Sequence, residues 1–349
     1  MLASGVTAGG LGVDLFFCLS SFLITMLLVR EFDLRGTIDV RAFWIRRILR
    51  IWPLYYCFIG FAALLVPFFM HGNHLRGFHL LGYLFLGGNW VCVTNGYPPS
   101  IAAPLWSVSI EEQFYLLWPL LLSIFSCRRL PHLAIGCLLI ASVMRVVAVH
   151  MELPHPGIWC NTFARLDPIA LGALFAVFNH HRSYSISNAM RALLLSLGVI
   201  LPPILIFLFG DSCFSGPASI FFYPAVAICC VFILTSFYRN IDKSTRSRSN
   251  KMSVILIYFG RISYGLYVFH VFGITVSRWL IAGGGAHSFV FKAVLQVGQF
   301  LFAFGLTVGL AAASYSLLEK PFLRLKERFT YVESSPATKI NNHIGTLRR

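Results

Sequence analysis

GVDLFFCLSSFLITMLLVR (12–30) decides the fold class. Between Gly12 and Val29 a single charge, Asp14, interrupts the apolar run. As a helix, a stretch of this length crosses a hydrocarbon core roughly 30 Å thick. The pattern recurs down the chain, and its spacing predicts helices over 11–29, 48–70, 105–126, 133–150, 158–179, 192–210, 218–238, 254–273 and 291–318. A further apolar stretch at 79–93 is too short to span. The expected architecture is all-α: a polytopic transmembrane helical bundle of about nine spanning helices plus one short re-entrant or interfacial segment. Composition agrees, since 57% of the 349 residues are hydrophobic and 12% charged. A soluble domain carries about 25% charged residues, so a water-soluble fold is excluded.

The net charge of +15 is not the footprint of a nucleic-acid binder. Such proteins gather Lys and Arg on one soluble face, whereas here they sit in short loops between apolar runs. With 79–93 not spanning, the basic loops fall on one side: 30–50, 128–132, 180–191 (Arg182, Arg191), 239–251 (Arg239, Lys243, Arg246, Arg248, Lys251) and the tail from Lys320. The positive-inside rule then places the C-terminus in the cytoplasm and the N-terminus outside. Met1 to Gly10 carries no basic residue and is expected to hold no helix, which suggests that a helix before Met1 is missing. The membrane domain is expected over 1–328, followed by a polar cytoplasmic tail over 329–349. Nine scattered cysteines (Cys18, Cys57, Cys92, Cys127, Cys137, Cys160, Cys213, Cys229, Cys230) have no CxxC or Cys/His ligand spacing and read as small core hydrophobes. No metal site is expected.

Ionisable groups inside membrane helices are costly, so each is a functional candidate. Asp14, Glu111, Glu112, Arg145, Arg165, Asp167 and His270 make up the set. In FWIRRILRIWPLYY (43–56), Arg46, Arg47 and Arg50 stand three and four apart and share one helix face. Three guanidiniums suit a polyanion such as the phosphates of coenzyme A; the plainer alternative is a topology anchor on lipid headgroups. In LWSVSIEEQFYLLWP (105–119), Ser107, Glu111, Phe114 and Trp118 continue one face, so Glu111 can enter a cavity with Ser107. Ser109 to Glu112 also matches a capping box, which would account for Glu112. Arg165 and Asp167 are two apart and do not face each other within a helix, and Asp167-Pro168 reads as an N-cap with proline at the first helical position. His270 lies well inside an apolar helix, where a hydrogen-bonded structural role is commoner than a base. His71, His74 and His79 cluster near an outer loop and read as solvated surface groups. GxSxG, P-loop and dinucleotide fingerprints are absent, so hydrolase, ATPase and oxidoreductase classes lack support.

These stretches, with RLDPIALGALFA (165–176), ISYGLYVFH (262–270) and SYSLLEKPF (314–322), resemble the acyltransferase-3 family of membrane proteins, and they occur in that family's order. Its bacterial members O-acetylate lipopolysaccharide, exopolysaccharide, peptidoglycan, nodulation factors and macrolides. The resemblance implies a bacterial inner-membrane protein with acetyl-CoA or another acyl-CoA as co-substrate, no bound cofactor, a glycan or lipid-linked sugar as acceptor, and membrane lipids around it. It further implies donor docking on Arg46, Arg47 and Arg50. Asp14 and Glu111 become candidate catalytic carboxylates, Arg165 a lining residue, Trp106 and Tyr115 aromatic walls, and Ser107 and His270 polar contacts. The family's first helix carries an arginine and, eleven residues later, the histidine held to be its base; nothing in this sequence aligns with that helix. Ser21 replaces a usual glycine. Two alternatives stay open: a catalytically inactive relative that binds acyl-CoA or lipid, and a secondary transporter, which would need an internal repeat that is not found here.

Overall fold

The computed structural model of the chain describes residues 3–125, 127–180, 186–238, 251–281 and 289–329. In chain order they form α1 Ala3–Arg35, α2 Val40–Gly60, α3 Val66–Phe69, α4 Gly77–Leu84, α5 Gly88–Asn95, α6 Trp106–Phe125 and α7 Leu130–His150. There follow α8 Asp167–His180, α9 Asn188–Phe209, α10 Ser212–Ser215, α11 Ser219–Phe237, α12 Lys251–Ile281, α13 Phe289–Ser314 and α14 Lys320–Lys326. Among the described residues there is no strand, and eight helical stretches are long and apolar enough to cross a membrane. The protein is an all-α, multi-pass integral membrane protein. Of the expected basic loops, Arg182, Arg239, Lys243, Arg246 and Arg248 lie outside the described residues, as does the tail beyond Phe329.

Three local expectations change. The first helix starts at Ala3, so the expected non-helical opening is replaced by two further turns. No proline interrupts residues 3–11, and a helix once nucleated extends at little cost. The expected helix 158–179 is helical only in its second part. Residues 152–162 form turns around Pro154, Pro156 and Gly157, and α8 begins at Asp167, before Pro168. Proline disfavours helical geometry in the residue ahead of it, which breaks the element there. With 14 residues, α8 measures roughly 21 Å and is too short to span alone. Its Ile169, Ala170, Ala173, Phe175 and Ala176 are all buried, as expected of a helix enclosed by other helices. The 79–93 stretch, expected not to span, is divided between the short helices α4 and α5.

The chain divides into two compact units, cut within α2 after Trp44 and within α6 after Ile110. In the first, α8 is packed by α1, α7 and α11. Gly172 lets α8 meet α1: a Cβ there would stand 2.3 Å from the Cys18 carbonyl oxygen. Close by, the Ser21 hydroxyl donates to the Ile169 carbonyl at 2.6 Å, so Ser21 ties the same two helices. Trp118 Nε1 donates to Thr25 Oγ1 at 2.9 Å and holds α6 to α1. Gly172→Ala is expected to cost about 1–3 kcal/mol, because the obstacle is backbone and does not rotate away. Thermal unfolding in mild detergent checks this, and an unchanged midpoint would refute it.

In the second unit, α12 and α13 pair through small residues, with Gly265 against Ala311 and Gly273 against Thr307 and Ala303. Tyr55 donates to the Tyr83 carbonyl at 2.8 Å, and Tyr83 donates to the Ala103 carbonyl at 2.8 Å, linking α2, α4 and the turn before α6. Two π-helical turns, Phe61–Leu65 and Tyr315–Glu319, each come two residues before a proline, Pro67 and Pro321. A proline ring collides with the carbonyl four residues back, and widening the preceding turn relieves the clash.

Candidate functional site

The first unit holds a buried array of four charges on four separate segments. Arg165, wholly buried in the turn before α8, reaches Asp14 of α1, with Nη2 2.7 Å from Oδ1. Its guanidinium lies between two aromatic faces, 4.5 Å from the Trp159 ring centre and 4.6 Å from that of Tyr223 in α11. Gly10 leaves room for the Trp159 ring, since a Cβ there would come within 2.3 Å of it. Asp167, two residues on, takes both Nη atoms of Arg145 from α7, and Arg145 Nη1 also donates to the Ala164 carbonyl at 2.9 Å. The two residues that cannot face each other along one helix thus each pair with a partner on another. Asp167 is therefore not the simple N-cap expected, because both of its oxygens accept from Arg145. Arg145 was among the intramembrane charges read as functional candidates, but Trp159 and Tyr223 were not singled out, because the aromatic sandwich has no sequence signature.

Glu111 and Glu112 are both buried in α6. The capping-box account of Glu112 fails, because α6 begins at Trp106, three residues before Ser109. Pro104 and the 3₁₀ turn Ala103–Leu105 initiate the helix instead, and the Ser109 hydroxyl is buried without a hydrogen-bond partner among the described residues. Tyr115 shares a hydrogen bond of 2.6 Å with Ser20, which brings α6 and α1 together beyond Glu111. Asp14 meets Arg165 through Oδ1, while its buried Oδ2 has no hydrogen-bond partner among the described residues.

In the second unit, Arg46 and Arg47 are half-buried with partners in the chain, whereas Arg50 is exposed. Arg50 lies within electrostatic reach of Glu319, which is buried at the end of the second π turn and accepts from the Ser314 hydroxyl at 3.1 Å. Glu319 went unnoticed in the sequence. Trp106 and Ser107, both buried, open α6. The Tyr267 hydroxyl donates to the Pro104 carbonyl at 2.7 Å and bonds Ser107 at 2.6 Å. One turn along α12, His270 Nδ1 bonds the Tyr267 carbonyl. His79, expected to be merely solvated, bonds the Gly96 carbonyl through Nε2 at 3.0 Å.

Among the described residues no His/Cys/Asp/Glu cluster has metal-ligand geometry. A cavity of about 310 Å³ in the first unit is lined by Val29, Phe32, Asp33, Cys127, Pro131, Val177 and His180, with His180 Nε2 hydrogen-bonded to the Asp33 carboxylate. Burial, reinforced by the Asp33 charge, pushes the Cys127 thiol up to about 11. It is therefore protonated at neutral pH, with a thiolate fraction of roughly 10⁻⁴. Iodoacetamide is expected to leave Cys127 unmodified at pH 7 and to reach it only in alkali; rapid alkylation at pH 7, read by peptide mass spectrometry, would contradict this.

Against known proteins, the family model described as an acyltransferase domain, the third of that name, matches residues 1–316. A protein of Staphylococcus aureus (strain COL) provisionally named an O-acetyltransferase is 28% identical over 342 residues, covering 91% of this chain and 53% of that protein. The peptidoglycan O-acetyltransferase OatA of Listeria monocytogenes is 28% identical over 337 residues, covering 91% of this chain and 52% of its own length. A Bacillus subtilis protein, YrhL, provisionally named a peptidoglycan O-acetyltransferase, is 37% identical over 123 residues, 33% of this chain and 19% of that protein. The chain spans about half the length of the first two. No solved structure is a significant match.

Proposed function

We propose, since this chain belongs to the acyltransferase-3 family of membrane proteins, that it is a membrane O-acyltransferase moving an acetyl group from an acyl-CoA to a hydroxyl of a cell-surface or exported glycan. The supporting observation is where charge is buried. Of the eight buried Asp, Glu and Arg residues among the described ones, six (Asp14, Glu111, Glu112, Arg165, Asp167 and Glu319) fall within the sequence stretches that resemble the family. Buried charge is costly in a membrane protein unless it serves structure or chemistry, so the resemblance and the polar interior coincide.

In this reading Arg46, Arg47 and Arg50 hold the donor's phosphates by charge-assisted hydrogen bonds, Arg50 most directly because it is the exposed one. Trp106 and Ser107 border the donor's thioester end, and Glu111 orients the acceptor hydroxyl beside Tyr115. Asp14 and Arg165 keep the turn before α8 in place. The C-terminus faces the cytoplasm in a bacterial inner membrane, and the acceptor is peptidoglycan or a related glycan, as in the names of the Listeria and Bacillus relatives. Membranes bearing the chain, given acetyl-labelled acetyl-CoA and peptidoglycan, should yield an alkali-labile ester on the glycan. Donor binding without any ester would instead support an inactive relative, and neither binding nor transfer would remove the acyl-CoA reading.

A further inference from the structure

We propose that the cavity where α1, α6 and α8 end is a site for one phospholipid of the ethanolamine type, its primary ammonium held by Asp33. None of the residues assigned to acyl transfer takes part. The cavity, about 310 Å³, lies at the edge of the membrane spans. Asp33 is two residues from the end of the first span, at Arg35. Cys127 falls in the short link between the span that ends at Phe125 and the one that begins at Leu130, and His180 is the last residue of α8. Headgroups occupy this level of a bilayer. Ligand pockets run from roughly 300 to 1,000 Å³, and a volume near the lower bound suits a lipid headgroup better than an oligosaccharide or a coenzyme.

The walls suit both parts of such a molecule. Val29, Phe32, Pro131 and Val177 give an apolar lining for the glycerol and the first carbons of an acyl chain. Asp33 is the one carboxylate of the lining, and Cys127 adds no charge because its thiol is protonated at neutral pH. His180 Nε2 donates to Asp33 Oδ2, which holds the carboxylate in one orientation and leaves Oδ1 as an acceptor. Among the described residues no Arg or Lys pairs with Asp33.

Three helices turn their carbonyl ends this way: α1 ends at Arg35, α6 at Phe125 and α8 at His180. Unsatisfied carbonyls at helix C-termini carry partial negative charge and favour a cation. A primary ammonium offers three N–H donors to this set, whereas a trimethylammonium offers none. Exposed Arg129, which precedes α7 two residues past Cys127, supplies a guanidinium for the phosphate.

Native mass spectrometry of the detergent-solubilised chain tests this. The chain is given an equal mixture of phosphatidylethanolamine, its N-methylated series up to phosphatidylcholine, and phosphatidylglycerol, all with the same acyl chains. Retention should fall with each N–H removed, reaching about tenfold less for phosphatidylcholine, or roughly 1.4 kcal/mol. Asp33→Asn can still accept from His180 and fills the same space, so it should keep its melting temperature and lose the preference for phosphatidylethanolamine. Equal retention of the choline lipid, a preference for phosphatidylglycerol, or an unchanged preference in Asp33→Asn would overturn the proposal. Should Asp33→Asn fail to fold, the unaltered chain still decides, because Cys127 lines the cavity. At about pH 9 its alkylation should be several-fold slower in nanodiscs containing phosphatidylethanolamine than in phosphatidylcholine alone; equal rates would also overturn the proposal. Phosphoethanolamine free in solution should give no such protection, and protection equal to the lipid's would show a soluble amine site in place of a lipid site.

Discussion

Arg145→Leu is expected to lose about 3–5 kcal/mol of stability, the cost of stranding a buried carboxylate. Arg145 is wholly buried and Asp167 nearly so, and the leucine would leave Asp167 facing an apolar interior with neither of its Nη partners. A purified sample should melt far below the unaltered protein in mild detergent, or fail to accumulate in membranes. The companion variant carries Arg145→Leu and Asp167→Asn together. Removing both charges of a buried pair is often neutral, so the double variant should recover most of the loss. Equal damage in single and double variants would mean that Arg145 contributes through the Ala164 carbonyl and its packing, and not through Asp167. The same logic extends to Asp14 and Arg165, where the aromatic faces of Trp159 and Tyr223 would partly shelter a stranded guanidinium.

Joint replacement of Arg46, Arg47 and Arg50 by Gln is expected to weaken acetyl-CoA binding by about 100-fold or more. Each charge-assisted contact to a phosphate contributes roughly 1.5–3 kcal/mol, and the three need not add in full. Equilibrium binding of labelled acetyl-CoA to nanodisc-held protein reads the effect. Affinity should also lose most of its dependence on salt, because screening acts on the charges removed. Arg50→Gln alone should account for the largest share, since Arg50 is the exposed one of the three. Arg261→Gln, on an exposed face of α12, serves as a control expected to bind normally. If the triple variant binds as well as the control, the arginines act as headgroup anchors and the donor site lies elsewhere.

Much of the architecture was legible because a membrane imposes a simple rule. Backbone polar groups in hydrocarbon must be satisfied internally, so long apolar runs such as 12–29 and 192–210 have helix as their solution. The rule fails where proline and enclosure by other helices compete with it. In the expected helix 158–179, Pro168 and the turns around Pro154 and Pro156 leave only α8, which is buried inside the first unit. The expected helix 105–126 matches α6, but its start was misattributed: Ser109 to Glu112 looks like a capping box, whereas the helix opens three residues earlier, behind Pro104.

The sequence by itself determined the helical membrane fold, the family and the roster of intramembrane charges, because each of these is written in composition, run length and ordered motifs. Only the tertiary structure decided who pairs with whom. Asp14 lies 151 positions before Arg165 and Arg145 lies 22 before Asp167, so no helical periodicity relates them. Their pairing follows from α8 lying between α1 and α7, close enough to α1 that Gly172 has no room for a side chain. The contact of His270 belongs to the same class: spacing places the histidine one turn beyond Tyr267, but the rotamer that brings Nδ1 to the Tyr267 carbonyl is a matter of packing in three dimensions.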